Sequence, residues 1–453
     1  MTMNKKFIAC LLLSGLIMTP LTQAASTISH TVQSYDVNVN KNLYVPYKTS
    51  SELFKEGFVT GFGSGITFKG YDSNGNPQFY AITDRGPNAD APKYTSDDET
   101  KEAKIFPAAD FTPSIGIVTL KDNKAVIDSS IQIKNSAGKK ITGLPLENGL
   151  VGSTGEVALD ENLNPLGYDV DGLDPEGIAV DRDGNFWICD EYGPFLLKLD
   201  PNGKILEKYA PGSGLPEVLK YRIPNRGFEG LTISPSGKIF VALQSVLDIE
   251  GKTSKTASFT RIVEFDPATK NVKTYAYPIN VNDYKSPKAC KIGDIYAISD
   301  TKLLVIEQGT LKDGSMRNMI YTLDLSNASD ITHATVDGKE LEYVSDPALL
   351  KNYKFGSKSA LVDLRAEGWT AEKAEGICLL DDKQTIVVVN DNDFGLTTNL
   401  TDPILKDTDI TDYTYNAQDK SFTYTGTVTP TINIQQNTQP AQIWTIKLPA
   451  PIQ

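Results

Sequence analysis

The chain has 453 residues, a formal net charge of −13 and a hydrophobic content of 40%, enough for a sizeable core in one large β domain or in several smaller ones. The acidity speaks against a nucleic-acid partner, because phosphate backbones need a basic face. Only two histidines are present, His30 and His333, and neither sits in a motif, which speaks against a Ser-His-Asp triad and a two-His zinc site.

The chain opens with Lys5 and Lys6, then an apolar run from Phe7 to Leu21 broken by Gly15 and Pro20. That is the pattern of a secretory signal peptide over residues 1–25, with cleavage near Ala24 or Ala25. Its removal takes the charge from −13 to −15. No later run approaches eighteen apolar residues, so no membrane insertion is expected and the destination reads as periplasmic or secreted. Residues 26–453 read as one all-β domain.

Thr31–Val39 reads as a strand, and from there a hairpin unit recurs. Gly65-Ile66-Thr67-Phe68 leads to Ala81-Ile82-Thr83-Asp84-Arg85. Asp174-Pro175-Glu176-Gly177-Ile178 leads through a Gly184 turn to Ile188-Cys189-Asp190-Glu191, and Phe228-Glu229-Gly230-Leu231 to Val241-Ala242-Leu243-Gln244. Asp294-Ile295-Tyr296-Ala297 leads to Val305-Ile306-Glu307-Gln308, and Glu375-Gly376-Ile377 to Val389-Asn390-Asp391. One small sheet cannot bury both its faces, so hairpins at such intervals point to a single β-propeller of four-stranded blades. Five blade starts are readable, and a sixth blade is expected in the irregular stretch from Ser136 to Gly172. The ring is expected to close through Thr31–Val39 and the last strand, Gln442–Leu448. Short helices are expected at Ser345–Tyr353 and Thr370–Lys373. After processing Cys189, Cys290 and Cys378 remain, an odd number with no close spacing, which is neither a disulfide framework nor a zinc site.

Several motifs fail on inspection. Gly63-Ser64-Gly65 lacks the spacing of a nucleophile elbow. Gly251-Lys252-Thr253 has Val246 where a phosphate-cradling loop needs glycine, and Asp169-x-Asp171-Gly172 is one ligand short of an EF-hand loop. What stands out is acid at equivalent places. Glu176, Glu229 and Glu375 each precede a glycine at the start of a channel-lining strand, and Asp84, Asp190, Glu307 and Asp391 stand where the second strand ends. Hard oxygen ligands converging on one axis suit Ca²⁺ or another divalent cation, while the bland reading makes each acid an acceptor for backbone N–H groups of the next blade. Arg85 and Arg226 lie within the same motifs and are candidates for holding an anionic substrate.

Taken together, Thr83-Asp84-Arg85-Gly86-Pro87-Asn88, Asp174-Pro175-Glu176-Gly177-Ile178 with Asp190-Glu191-Tyr192-Gly193-Pro194, Asn225-Arg226-Gly227-Phe228-Glu229-Gly230-Leu231, Ala374-Glu375-Gly376-Ile377 and Asn390-Asp391-Asn392-Asp393-Phe394-Gly395 resemble the phytase-like family, named for an "esterase-like activity of phytase". They run in the family's order over roughly residues 57–395. The family usually has Asp-Asn-Asn-Phe at the last site, where this chain has Asp391-Asn392-Asp393-Phe394. The resemblance implies a secreted propeller with phosphoester or ester hydrolase activity.

The expectation is therefore a Ca²⁺-dependent hydrolase of a small anionic phosphate ester. Glu176, Glu229, Glu375, Asp84, Asp190, Glu307 and Asp391 are the expected metal ligands, and Glu229, Asp190, Arg85 and Arg226 the expected catalytic residues. Two rivals stand beside it: a lactonase or carboxylesterase propeller, and a non-catalytic propeller that binds a ligand or protein around a structural Ca²⁺.

Overall fold

A computed structural model describes residues 30–49, 52–401, 409–423, 427–428 and 431–452. The signal segment and the Ala24/Ala25 cleavage site lie outside the described residues. The chain is an all-β propeller. Its first blade comprises Gly65–Tyr71, Pro77–Ile82, Ser114–Lys121 and Lys124–Gln132. The second comprises Pro175–Val180, Phe186–Asp190, Phe195–Leu199 and Ile205–Pro211. The third is Phe228–Ile233, Ile239–Leu243, Phe259–Phe265 and Val272–Pro278. The fourth is Lys291–Ala297, Lys302–Thr310, Met316–Asp324 and Ser357–Asp363. The fifth is Gly376–Leu379, Thr385–Val389, Gln442–Lys447 and, outermost, Thr31–Val39.

Alternation along each strand builds the cores, because successive side chains point to opposite faces. Ile239, Val241 and Leu243 pack with Trp187, Cys189 and Leu196 of the second blade. Phe240 and Ala242, one residue out of phase, pack with Ile292, Ile295 and Leu303 of the fourth. Equivalent layers join the fourth blade to the fifth, the fifth to the first and the first to the second. The circuit is complete among the described residues. The stretch from 136 to 172, expected to form a sixth blade, supplies no inner strand; its Val157–Leu159 instead pairs with Ala103–Ile105 in a small outer sheet.

Close approach of the inner strands explains why glycine recurs there. A Cβ at Gly177 would stand 2.8 Å from the backbone N of Leu231, and one at Gly230 would stand 2.7 Å from that of Ile295. Any side chain would force the blades apart. Closure follows the expected route. Thr31–Val39 runs antiparallel to Gln442–Lys447 and then parallel to Lys124–Gln132, fusing the first and fifth blades into one eight-stranded sheet.

One end of the ring carries a cap. Residues 83–113 and 390–441 interrupt the first and fifth blades after their second strands, and residues 133–174 join the first blade to the second. These segments pair with one another: Lys93–Ser96 lies parallel to Thr414–Asn416, over a satellite core of Tyr94, Ile105, Leu159, Tyr413 and Phe422. The one α-helix among the described residues is Pro347–Leu350, while residues 370–373, expected to be helical, are irregular.

Candidate metal centre at the channel mouth

Two tiers of side chains face the capped end of the channel. The first tier precedes the inner-strand glycine: Ser64, Glu176, Glu229 and Glu375. In the fourth blade the bulge falls on Gly293, which offers no side chain, and Ile292 packs into the core between the third and fourth blades. In the second blade Pro175 pairs with Asp190 and Gly177 with Cys189, which leaves Glu176 as the extra residue of a β-bulge. Glu229 is the extra residue between Phe228 and Gly230 in the third blade. A bulge re-aims the side chain it carries, and here it turns an acid toward the axis. Carboxylate oxygens of Glu176, Glu229 and Glu375 lie within 4.8 Å of one another, and so do those of Asp174, Glu176 and Glu191. All five side chains are buried.

The second tier stands at or just past the end of the second strand: Asp84, Glu191, Gln244, Gln308 (still within Lys302–Thr310) and Asp391. Gln244 Nε2 donates to Glu191 Oε1 and to Glu229 Oε2, both at 2.8 Å, and so ties the two tiers together. Gln308 Oε1 accepts from Ala374 N at 2.8 Å and from Asn318 Nδ2 at 3.0 Å. Lys373 Nζ lies 2.8 Å from Asp391 and 2.8 Å from Asp393, and 3.8 Å from Glu375. The extra acid at Asp393 therefore shares a lysine with Asp391.

Burial and mutual repulsion raise the proton affinity of this cluster. Burial first, then the charges of Asp174, Glu229, Glu191 and Glu375, lifts Glu176 well above the usual carboxylate range. Glu229 is lifted in the same way, by burial and then by Glu191 and Glu375. Glu191 is pushed up to about 8, chiefly by burial and Asp174. Glu375 reaches about 7 through burial, restrained by Lys373. Asp84 is raised well above its ordinary value by burial, Asp391 and Asp174.

Several expected site residues stand elsewhere. Asp190 is fully buried, and its carboxylate accepts the N–H groups of Asp174 and Gly193, both at 2.7 Å, fixing the strand end rather than joining the cluster. Glu307 is sealed between the third and fourth blades with Lys358 at 2.6 Å, Tyr277 at 2.7 Å and Tyr284 at 2.9 Å. Neither acid faces the mouth, because each is one residue out of phase with the second tier. Arg85 stands behind Asp174: its Nε lies 3.5 Å from that carboxylate, its Nη1 lies 3.3 Å from Glu156, and Phe106 and Tyr192 flank it. It positions an acid and does not project into the opening. Arg226, half-buried on the rim, donates to Lys288 O at 2.5 Å and feels the charges of Glu191 and Glu229. Glu176, Glu229, Glu375, Asp84 and Asp391 do gather at this end of the ring.

Sequence reasoning missed Asp174, Glu191, Gln244, Lys291 and Lys373. Lys291, half-buried beside Ile292, is a cation facing Glu191, Glu229 and Glu375. In the fourth blade the inner-strand acid, Asp294, serves the ring itself. It accepts N–H groups of Ile295 and Ile377 at 2.7 Å and of Leu231 at 3.3 Å, linking three blades.

A family model described as esterase-like activity of phytase matches residues 58–394, which span all five inner strands. The chain belongs to the phytase-like family. Among relatives of this phytase-like chain, an uncharacterized secreted protein of Arthroderma benhamiae is 31% identical over a region covering 25% of this chain and 28% of that protein. The chain thus spans little more than a quarter of that relative's length. A Lactobacillus plantarum protein of known structure superimposes with a TM-score of 0.34 at 12% identity, covering 92% of this chain and 99% of that one. The α-L-arabinofuranosidase of Podospora anserina, solved with cellotriose, gives 0.36 at 11% identity, covering 93% and 98%. Likenesses this distant say nothing of chemistry. Among the described residues no helix is long and apolar enough to cross a membrane.

Proposed function

We propose that this phytase-like chain is a divalent-cation-dependent hydrolase of phosphate esters, with Ca²⁺ the expected ion, acting in the periplasm or outside the cell. The observation that carries the reading is the meeting of Glu176, Glu229 and Glu375, from three separate blades, with oxygens within 4.8 Å. The donor set fits a hard cation: oxygen only, anionic, and buried where uncompensated charge is costly. The family's activity label and the secreted relative support the substrate class and the location.

Glu176, Glu229 and Glu375 would hold the ion, with Asp174 and Glu191 beside them. When bound, it polarises a phosphoryl oxygen and acidifies a water. The chain supplies the rest. Lys291 and Arg226, half-buried on the rim, meet the remaining phosphate oxygens. Asp84, whose Oδ1 accepts Gly86 N–H at 2.7 Å and whose proton affinity is raised by burial, Asp391 and Asp174, is the group placed to deliver a proton from Oδ2 to the leaving oxygen. Gln244 holds Glu229 in place.

The test is a substrate panel with the purified chain, in Ca²⁺ and in chelator: p-nitrophenyl phosphate and inositol phosphates against aryl acetates and lactones. Turnover of phosphates alone, lost in chelator, supports the reading. Turnover of acetates or lactones alone replaces it with a lactonase or carboxylesterase, and no turnover leaves a binding propeller.

A further inference from the structure

Two donor sets meet at the mouth, and they share one residue. Glu176 belongs with Glu229 and Glu375 on one side and with Asp174 and Glu191 on the other, each trio within 4.8 Å. A carboxylate has two oxygens and about four lone-pair sites, so Glu176 can serve both sides at once. Asp174 keeps spare acceptor capacity although Arg85 N donates to it at 3.0 Å.

An independent observation points to ligands in the same place. Gln244 is 5% exposed, and while its Nε2 donates to Glu191 of one set and Glu229 of the other, its Oε1 is buried without any hydrogen-bond partner. Ser64, 1% exposed, likewise leaves its Oγ unpartnered. Ser64 is the first blade's counterpart of Glu176, with neighbours Gly63 against Asn390 and Asp391 and Gly65 against Glu176 and Gly177. Buried polar atoms in folded proteins are nearly always satisfied. Two neutral oxygens left open beside five carboxylates are what oxygen-liganded cations need to complete a shell.

We propose that the mouth holds two divalent cations bridged by Glu176, one on the Glu229–Glu375 side and one on the Asp174–Glu191 side. The inference rests on reading the mouth as a cation site, and it can fail while that reading stands. The experiment counts ions on the full-length purified chain, stripped with chelator and then titrated with Ca²⁺ by calorimetry and equilibrium dialysis. Wild type is expected to bind two ions, Glu191→Gln one, Glu375→Gln one, and Glu176→Gln to weaken both by about tenfold or more. With Mn²⁺ in place of Ca²⁺, paramagnetic resonance is expected to show a spin-coupled pair in wild type and an isolated ion in Glu191→Gln or Glu375→Gln. A single ion in wild type, or two uncoupled ones, overturns the proposal whether or not the variants fold. No ion at all overturns the cation-dependent reading as well.

Discussion

Removing the cation should make the protein lose stability as pH rises from 5 to 8, and deleting one acid should restore part of it. Glu191 rises from an ordinary 4.5 to about 8 through burial and then Asp174. At pH values between these two, the folded chain holds a proton that the unfolded chain has released. Stability therefore falls with increasing pH across that window, and the loss is complete above about 8. At about 1.4 kcal/mol for each pKa unit, the full effect is about 5 kcal/mol. Glu375, lifted to about 7, is worth about 3 kcal/mol taken alone, but it shares neighbours with Glu191, so the two do not add. For 453 residues the unfolding entropy is about 0.95 kcal/mol per kelvin, which turns 5 kcal/mol into a shift in Tm of about 5 °C. The assay is differential scanning calorimetry at pH 5, 6, 7 and 8, in chelator and in millimolar Ca²⁺. In chelator Tm should fall by about 4 °C over this range, because at pH 8 about half of the folded chains still hold the proton, while Ca²⁺ should flatten the curve. Glu191→Gln in chelator at pH 8 should melt above wild type, although it removes a hydrogen-bond partner of Gln244. A chelated wild type whose Tm is flat or rises from pH 5 to 8, or a Glu191→Gln protein that melts lower at pH 8, would refute the reasoning.

Three further outcomes follow from the same geometry. Glu229→Gln should lower kcat/KM on phosphate esters by about 100-fold or more with an unchanged circular-dichroism spectrum; wild-type turnover in that variant would take Glu229 out of the chemistry. Gly230→Ala places a Cβ 2.7 Å from Ile295 N and 2.8 Å from Asp294 Cα, both backbone atoms. It should cost about 1–3 kcal/mol in denaturant unfolding and weaken Ca²⁺ binding by moving Glu229. Asp294→Ala orphans three backbone N–H groups from three blades and should cost about 3 kcal/mol or more, seen as a Tm lower by about 3 °C with the count of bound Ca²⁺ unchanged.

The blades were legible because hairpin spacing and glycine placement are local signals. The first-tier acids were legible because each stands beside the glycine that lets its strand reach the axis. The second tier required phase. In a strand only alternate residues share a face. Aligning Ile188-Cys189-Asp190-Glu191 with Val241-Ala242-Leu243-Gln244 puts Leu243 opposite Asp190 and Gln244 opposite Glu191. A leucine at the first of these positions marks it as core-facing, so Glu191 rather than Asp190 belongs to the mouth. The same alignment assigns Gln308 rather than Glu307. Lys291 and Lys373 carried no such signal, since single lysines outside a motif look like ordinary surface charge. The irregular stretch from 136 to 172 misled for a different reason. Its short β segment, Val157–Leu159, finds its partner in Ala103–Ile105, more than fifty residues away, and no local pattern encodes that choice.

The asymmetry of the mouth follows from what each blade places there. The second, third and fifth blades contribute acids, whereas the fourth has Gly293 at the bulge, Lys291 close by, and its own acid, Asp294, committed to neighbouring backbones. A ring with acid at every position would repel any anionic substrate and strain its own packing. With one blade presenting a glycine and a lysine, negative charge is confined to one arc, and an anion has a side from which to approach. The cap departs from Asp84 and Asp391, so segments free to vary in length and sequence spring directly from the acids they cover. On the proposed reading, the ring fixes the cation chemistry and the cap decides which ester reaches it. Exchanging residues 390–441 with those of a relative should then change the substrate preferred while leaving the Ca²⁺ dependence in place.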